Sequence, residues 1–456
     1  MNLNERVLAM QEPLLKTLQE SIQIPSVHGP AAEGAPYGVE VRKSLDHILG
    51  VAEKLGFDTV NMDGHVGWCE YGEGDEMVAV LGHLDVVPAG DGWSFDPWGG
   101  EIKNDRIFGR GTMDDKGPSI AALYALAALR DSGMPIQKRI RLLFGCNEET
   151  GSQDMKYYLA HGGEVPAMGF TPDAEYPVIN GEKGIINVTF TRNFIQSGPL
   201  KLRAFQGGTA PNVVPDAARA EIECSTDMAE RIAGLSVPKI SFTLTDYGIL
   251  AQSEGVSAHG STPWQGENAI GRLVKALNQL PFEGEMQLIL QFLSRKLGME
   301  TDGKSAGIYL YDDVSGPLSL NWGTLNADST SLSMIINYRY PVTYQYEDCA
   351  PAFMKLFQDA GFAVAHELHK AKLYVPADNP LIQKLLKVYK DFTGIDGKPI
   401  CIGGGTYAKM LPNIVAFGPI FPGDEVREHK PDEFIEIPKL MKNAQMIAAA
   451  MYEMAK

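Results

Sequence analysis

The stretch Met77-Val78-Ala79-Val80-Leu81-Gly82-His83-Leu84-Asp85 decides the fold prediction for this chain. Five apolar residues closed by a glycine are typical of a strand that is buried on both faces of a parallel sheet. His83 and Asp85 then leave the strand end on the same side, where open α/β sheets bind ligands. A histidine with a carboxylate two residues away suits a metal ligand and its orienting partner, although a lone histidine there is more often structural.

A helix and a second strand extend this pattern. Residues 118–132 predict a helix, with Pro118 near its start and Gly133 after its end. Residues 139–146 predict another buried strand that ends at Asn147-Glu148-Glu149. A strand, a helix and a strand in this order indicate a parallel sheet with crossover helices. Further predictions in this half are helices at 3–24 and 37–56 and a strand near 58–62.

The pattern changes after about residue 184, where strands begin to dominate. We predict an inserted α+β domain over 184–373, within an α/β domain formed by 1–183 and 374–456. The insertion has predicted strands at 185–191, 200–204, 217–224, 239–244, 307–312 and 331–338, and helices at 226–234, 267–278 and 346–360. The α/β pattern resumes with helices at 379–393 and 435–455 and a short strand at 413–417.

The composition excludes several classes of protein. The 456 residues carry 40 Lys and Arg against 57 Asp and Glu, and the net charge of −17 argues against nucleic acid as a partner. Five widely spaced cysteines with no CxxC pair are typical of a reducing compartment and give no cysteine-based zinc motif. No apolar run is long enough to span a membrane, and the first residues do not resemble a signal peptide. We therefore expect a cytoplasmic protein with no membrane partner.

Four more acidic or histidine positions follow strands or loops. They are Asp114-Asp115 before the 118–132 helix, Glu148-Glu149 at the second strand end, Asp173 in a loop and His429 before the closing helix. Each alone has an ordinary explanation, such as favourable charge at a helix start or a turn aspartate. Together with His83 they form the donor set that a pair of divalent cations needs, with one bridging carboxylate. Zn²⁺ suits this set best, and Mn²⁺ or Co²⁺ is also compatible.

At this point the chain resembles the M20 family of metallopeptidases, and within it the PepV-like (Sapep-like) bacterial dipeptidases. Nine ordered segments carry the resemblance over nearly the whole chain: GHLDVVPAGDGWSFDPW (82–98), GRGTMDDKGPSIAALYAL (109–126), NEETGSQD (147–154), TPDAEYP (171–177), GGTAPNVVPD (207–216), SAHGSTP (257–263), NYRYP (337–341), GGGTYA (403–408) and HKPDE (429–433).

The resemblance implies two sets of metal ligands that share one residue. One set is His83, Asp114 and Asp173, and the other is Asp114, Glu149 and His429. Asp114 is preferred to Asp115 as the bridging ligand because the residue after the bridging aspartate is often Met in related families. The resemblance also implies a cis peptide between Asp114 and Asp115. Asp85 is expected to orient His83 through its second ring nitrogen.

The resemblance further implies the catalytic and substrate-binding roles. Glu148 is the expected general base, which takes a proton from a water that bridges the two cations, and His259 is the expected hydrogen-bond donor to the oxyanion. Arg339 suits a free C-terminal carboxylate because its guanidinium presents two parallel donors. The remaining expected substrate-binding groups are Asn212 and the loop Gly403-Gly404-Gly405-Thr406.

The implied fold is a zinc-peptidase-like catalytic domain (1–183 and 374–456) with a mostly parallel sheet flanked by helices. The implied lid (184–373) consists of two ferredoxin-like modules. About 190 residues separate the two catalytic segments, which is enough for a doubled lid that supplies His259 from the same chain. We therefore expect a monomer.

The sequence thus predicts a metal-dependent dipeptidase that hydrolyses short L-peptides. An N-acyl-amino-acid deacylase or desuccinylase of the same family is the alternative, because it uses the same metals and differs only in the lid pocket. A catalytically inactive amino-acid-binding protein is a third hypothesis. No predicted ligand or base position is substituted, which argues against it.

Overall fold

The computed structural model describes all 456 residues. They form two compact units: unit 1 consists of Met1–Gly181, Val375–Ile400 and Gly405–Lys456, and unit 2 of Glu182–Tyr374 and Cys401–Gly404. No helix is long and apolar enough to cross a membrane.

Eleven α-helices occur in the chain. In order they are α1 (Leu3–Ala9), α2 (Gln11–Ile22), α3 (Val39–Lys54), α4 (Lys116–Ser132), α5 (Gln153–Ala160), α6 (Thr226–Ala233), α7 (Ala269–Leu277), α8 (Gly284–Lys296), α9 (Ala350–Asp359), α10 (Pro380–Thr393) and α11 (Ile437–Ala455).

The strands before the insertion are β1 (Thr59–Met62), β2 (Val66–Tyr71), β3 (Met77–His83), β4 (Glu101–Lys103), β5 (Arg106–Phe108), β6 (Arg139–Gly145), β7 (Met168–Thr171), β8 (Ala174–Glu175) and β9 (Ile179–Glu182). The next are β10 (Gly184–Asn193), β11 (Gln196–Ser197), β12 (Lys201–Gly207), β13 (Ala217–Glu223), β14 (Ile240–Thr245), β15 (Gly248–Glu254), β16 (Tyr311–Asp312), β17 (Gly316–Pro317), β18 (Ser319–Ala327), β19 (Ser331–Tyr340), β20 (Ala363–Lys370) and β21 (Leu373–Tyr374). The last are β22 (Ile400–Ile402), β23 (Ile414–Ala416), β24 (Pro419–Ile420) and β25 (Phe434–Glu436).

The central sheet of unit 1 has the order β1-β2-β6-β3-β7-β23-β9. Its middle strand β3 is parallel to β6 on one side and to β7 on the other, and β7 is parallel to β23. Every residue of β3 is buried, as expected for a strand covered on both faces. The predicted α/β class with a mostly parallel sheet is therefore confirmed.

Helix α4 supplies much of the core beneath the strand ends. Its Ala- and Leu-rich sequence is buried on nearly every side, because it packs against α2, α11 and β3. Gly133 ends the helix in the left-handed region at φ 68°, and its N–H donates to the carbonyl oxygen of Arg130, which is a common glycine cap. The helix begins immediately after Asp114-Asp115 and therefore fixes where that pair stands.

Unit 2 is built around one antiparallel sheet in the order β14-β15-β13-β12-β18-β19-β10-β20. Two four-stranded halves meet where β12 pairs with β18 over three residue pairs. Along β10 the residues alternate between buried and half-buried, and Ile186, Val188 and Phe190 enter a core that includes residues of α6, α7, α8 and α9. The alternation is what a sheet with one covered face produces.

The predicted elements differ from the structure in several places. The helix predicted over 3–24 is two helices, α1 and α2, which meet at Met10. The strand predicted over 307–312 is wrong except at Tyr311 and Asp312, because only these two residues find a partner strand. Helix α8 was not predicted, although its buried residues Met286, Ile289, Leu290 and Leu293 have the spacing of a helix face.

Candidate metal centre and substrate-binding residues

Two neighbouring parallel strands, β3 and β6, bring the predicted metal-binding and catalytic residues together. His83 is the last residue of β3, and it lies opposite Gly145, the last residue of β6. A Cβ atom on Gly82 would lie 2.0 Å from Ser119 Oγ and 2.7 Å from Asp115 Oδ2. Only glycine fits at Gly82, because the start of α4 approaches the strand end closely there.

The first predicted ligand set comes together in unit 1. His83 Nε2 lies 3.0 Å from Asp114 Oδ1 and 3.7 Å from Asp173 Oδ2. The His83 side chain is fully buried, and its Nε2 atom faces these two carboxylates without a well-aligned hydrogen bond. One ligand atom from each of the three residues lies within 4.8 Å of the others. This is the spacing of ligands around a shared ion.

The second predicted set is built on the other oxygen of the same aspartate. His429 Nε2 lies 2.9 Å from Asp114 Oδ2 and 3.1 Å from Glu149 Oε1, and the ligand atoms of these three residues also lie within 4.8 Å of one another. Asp114 therefore directs Oδ1 to His83 and Oδ2 to His429. This is the arrangement that a bridging carboxylate requires.

The two adjacent aspartates have different surroundings. Asp115 is fully buried, and its Oδ2 accepts hydrogen bonds from the His83 N–H (3.0 Å) and from Ser119 Oγ (3.0 Å). It holds the backbone of His83, whereas Asp114 faces both histidine rings. The peptide between the two residues is cis, as the resemblance implied.

Asp85 contacts both the His83 ring and the backbone of the Glu148-Glu149 loop. His83 Nδ1 lies 2.9 Å from the carbonyl oxygen of Asp85 and 3.5 Å from its Oδ1. The Asp85 carboxylate accepts hydrogen bonds from the N–H groups of Glu148 and Glu149, both at 3.1 Å. Asp85 was predicted to orient His83. Its hydrogen bonds show that it also holds the Glu148-Glu149 loop against the end of β3.

The electrostatics of the site favour a cation. Burial opposes the ionisation of Asp114, but the imidazoles of His429 and His83 outweigh it and lower the pKa of Asp114. Asp114 and Glu149 in turn raise the pKa of His429 to about 10. Protons on these imidazoles compete with a metal ion for the same nitrogen atoms, so metal binding must displace them. Imidazole and carboxylate ligands suit Zn²⁺, Mn²⁺ or Co²⁺, and the buried Nε2 of His83, which faces two carboxylates, fits such an ion.

Glu148 is distinguished from its neighbour Glu149 by its contacts. It makes no ion pair with either histidine, whereas Glu149 lies against His429. Burial raises the pKa of Glu148 to about 8, with the charge of His83 opposing the shift and those of Glu149 and Asp114 adding to it. A carboxylate with a pKa in this range can both accept and return a proton near neutral pH.

Unit 2 also brings predicted site residues together. The N–H of Gly260, next to His259, donates to the carbonyl oxygen of Asn212 at 2.7 Å. His259 is exposed, with Nδ1 2.6 Å from Ser261 Oγ. Partial burial of the ring, followed by the positive charge of Arg339, lowers the pKa of His259. The ring is therefore a neutral hydrogen-bond donor at neutral pH.

Arg339 is buried without a carboxylate partner. Its Nη1 donates to the carbonyl oxygen of Gly403, and its Nε donates to Asn337 Oδ1 at 3.3 Å. Burial lowers the pKa of Arg339 to about 10, so the side chain is charged at neutral pH. A buried cation that no protein carboxylate neutralises is suited to an anionic ligand.

The predicted glycine loop is divided between the two units. Gly403 and Gly404 belong to unit 2, whereas Gly405 and Thr406 belong to unit 1. Gly403 packs on Ser261, because a Cβ atom on Gly403 would lie 2.6 Å from Ser261 Cβ. Thr406 Oγ1 accepts the N–H of Ala408 at 3.1 Å and caps the short helix that follows.

Two residues that the sequence did not single out also support the site. Asp154 is fully buried, and its Oδ2 accepts the N–H groups of Cys146 and Asn147 at 2.6 and 2.8 Å and the hydroxyl of Tyr407. The Tyr407 ring stands edge-on to the ring of His83 at 5.9 Å. Asp154 therefore anchors the residues just before Glu148. Its position in the NEETGSQD segment was the only signal for this function.

This fold and these candidate ligand groups are those of an α/β metallohydrolase. The family model "Peptidase family M20/M25/M40" matches residues 79–453. The chain belongs to this peptidase family, and it is a metallopeptidase whose family implies divalent metal ions.

Relatives match the chain over its full length. YtjP of Bacillus subtilis (strain 168) is 39% identical over 472 residues, with 100% of both chains covered. The Beta-Ala-Xaa dipeptidase of Lactobacillus delbrueckii subsp. lactis is 34% identical, with 100% of this chain and 99% of the relative covered.

Solved structures share the fold at low sequence identity. The aminoacylhistidine dipeptidase from Vibrio alginolyticus superposes with a TM-score of 0.58 at 16% identity, and covers 97% of this chain and 96% of its own. The dipeptidase Dug1p from Saccharomyces cerevisiae has a TM-score of 0.57 at 15% identity, with 99% and 97% covered. These likenesses support the two-domain architecture.

Proposed function

We propose that the chain is a dipeptidase that uses two divalent cations to hydrolyse short L-peptides with a free C-terminal carboxylate. The observation that carries the proposal is Asp114, which presents one carboxylate oxygen to each of two ligand sets. Dipeptidase activity in a relative that matches the full chain adds support. We propose Zn²⁺ as the preferred ion, with Mn²⁺ or Co²⁺ as substitutes, because two imidazoles join the carboxylates.

The bound cations would be held by His83, Asp114 and Asp173 on one side and by Asp114, Glu149 and His429 on the other. When bound, they lower the pKa of a water between them and polarise the scissile carbonyl. Glu148 holds the proton that is released as the water attacks and delivers it to the leaving amine nitrogen. Asp85 keeps the Glu148 backbone in place through its hydrogen bond to the Glu148 N–H.

We propose that the residues of unit 2 recognise the peptide. The neutral imidazole of His259 donates a hydrogen bond to the oxyanion, and the guanidinium of Arg339 binds the C-terminal carboxylate. Asn212 and the loop from Gly403 to Thr406 complete the recognition. Unit 2 would act as a lid, and we propose that a monomer is active because one chain carries every residue named here. Five free cysteines, three of them buried, support a reducing, cytoplasmic location.

The proposal is tested with a substrate panel on metal-stripped protein. We expect no hydrolysis after chelation and restored hydrolysis of dipeptides after addition of Zn²⁺, Mn²⁺ or Co²⁺. N-acetyl and N-succinyl amino acids, measured beside the dipeptides, distinguish a peptidase from a deacylase. Metal-dependent cleavage of the acyl amino acids alone would favour the deacylase, and no metal-dependent cleavage of either class would refute the proposal.

Replacing Arg339 with methionine should raise KM for dipeptides about 10- to 100-fold. This corresponds to the loss of a charge-assisted hydrogen bond, about 1.5–3 kcal/mol. The measurement compares each dipeptide with its C-terminal amide, which has no carboxylate to bind, so the variant should barely change hydrolysis of the amide. Arg203→Met is the matched control, because Arg203 is partly exposed in the same unit and stacks on Tyr247. An equal effect on acid and amide would contradict the assignment.

A further inference from the structure

A buried ion pair between Arg110 and Glu433 lies beside the metal-ligand segments. Arg110 Nη1 lies 2.6 Å from Glu433 Oε2, and the two side chains are 1% and 0% exposed. Neither residue belongs to the ligand sets. The pair joins positions that are 323 residues apart in the chain.

Glu433 binds the backbone that carries Asp114. Its Oε1 accepts the N–H groups of Gly111 at 3.0 Å, Met113 at 2.9 Å and Asp114 at 3.3 Å. The carbonyl oxygen of Glu433 accepts the N–H of Gly109 at 2.9 Å. One residue thus holds both ends of the 109–114 loop.

The same pair reaches the two other segments that carry histidine ligands. Arg110 Nη2 donates to the carbonyl oxygens of Pro88 and Ala89 at 3.4 and 3.2 Å, a few residues after His83. Glu433 itself follows His429 by four residues. The segments that carry His83, Asp114 and His429 therefore meet at one buried ion pair.

Stability alone does not account for the pair. A buried ion pair contributes little net stability compared with apolar side chains of similar volume, because both charges lose their hydration. Apolar side chains, however, accept no backbone N–H groups and set no spacing between three chain segments. Both carboxylate oxygens of Glu433 accept hydrogen bonds from protein donors.

We infer that Arg110 and Glu433 are positioning residues that hold His83, Asp114 and His429 at the spacing two metal ions require. The inference rests on the proposed two-metal function. The pair touches neither substrate nor metal and acts through the backbone of the ligand segments. Outer contacts of this kind commonly change metal affinity 10- to 100-fold when they are removed.

The test is the metal affinity of Glu433→Gln. An amide of the same shape keeps one acceptor oxygen, but it turns an N–H₂ group toward Arg110 or toward the backbone donors. We expect Zn²⁺ and Mn²⁺ to bind 10- to 100-fold more weakly than to the unmodified protein. Affinity is measured on metal-stripped full-length protein by competition with a chromophoric chelator, which requires no substrate. Thermal unfolding of the metal-free protein is measured in parallel.

Glu164→Gln is the matched control, because it also removes one partner of an arginine ion pair in unit 1. Arg139 Nη2 lies 2.7 Å from Glu164 Oε1, and this pair touches no ligand segment. We expect the control to bind metal normally. Arg110→Lys is a second variant in case Glu433→Gln does not fold: it keeps the charge but loses the planar guanidinium that reaches Pro88 and Ala89, and should also bind metal more weakly.

The outcomes separate this inference from the proposed function. Metal affinity of Glu433→Gln and Arg110→Lys within two- to threefold of that of Glu164→Gln would overturn the inference and leave the metal centre intact. Failure of the unmodified protein to bind metal would overturn the metal centre and the inference together. Weaker metal binding in both Glu433→Gln and Arg110→Lys, with normal binding in Glu164→Gln, would support the inference that the pair positions the metal ligands.

Discussion

Replacing Glu148 with glutamine is expected to lower kcat for dipeptide hydrolysis by 10²- to 10⁴-fold, while two metal ions remain bound. The glutamine has the same shape but cannot accept the proton that the attacking water releases, and general acid–base catalysis contributes a factor of this size. Glu148 makes no ion pair with His83 or His429, so the ligand sets remain complete. Initial rates and metal content by mass spectrometry, on the same preparation, check both parts.

Glu149→Gln is the control for this prediction, because the two glutamates are adjacent but differ in their contacts. Glu149 lies 3.1 Å from His429 Nε2 and is part of a ligand set. We expect this variant to lose one metal ion as well as activity. Mixing Glu148→Gln with His259→Ala should restore no activity if the monomer is the active form. Normal turnover by Glu148→Gln would remove Glu148 as the base.

Replacing Asp114 with asparagine is expected to empty both metal sites, whereas His83→Ala should empty only one. Each oxygen of the Asp114 carboxylate faces a different histidine, at 3.0 and 2.9 Å. An amide offers one oxygen and no charge, so both ligand sets lose a donor. His83 belongs to one set only.

The metal content of each protein, measured after gel filtration in Zn²⁺-containing buffer, checks this prediction. We expect two ions per chain in the unmodified protein, one in His83→Ala and none in Asp114→Asn. Asp115→Asn is the matched control, since Asp115 is adjacent but contacts the His83 backbone and Ser119, and it should retain both ions. Two ions in Asp114→Asn would contradict a bridging function.

Most of the fold could be predicted because its signals are local. Apolar runs such as Met77–Leu81 and the Ala- and Leu-rich α4 show their burial directly in the sequence. Residues that follow parallel strands meet at one edge of the sheet, so His83 and the Glu148-Glu149 pair were expected to be neighbours. The wrong strand at 307–312 shows the limit of this reasoning. Its run of aliphatic and aromatic residues favours a strand, but pairing depends on a partner that the segment does not encode, and only Tyr311 and Asp312 find one.

The supporting residues could not be predicted, because their contacts join distant parts of the chain. Asp154 and Tyr407 are 253 residues apart, and Arg110 and Glu433 are 323 apart. Neither member of such a pair has a local pattern that identifies its partner. A buried carboxylate is stable only where donors surround it. The side-chain donor of Glu433 and its backbone N–H donors all come from the distant 110–114 segment. Asp154 has local backbone donors and receives its distant hydrogen bond from the Tyr407 hydroxyl.

The sequence by itself determined the α/β class, the strand ends where polar residues gather, and the family. The family resemblance assigned a function to each member of the two acidic pairs, and only the tertiary structure shows the contacts by which the members differ. Asp114 and Asp115 have the same side chain, as do Glu148 and Glu149, so sequence chemistry cannot separate them. Their surroundings do: Asp114 faces His83 and His429, Asp115 faces a backbone N–H, and Glu149 rather than Glu148 lies against His429. Side-chain direction depends on backbone geometry and on donors from distant segments, and both exist only in the folded chain.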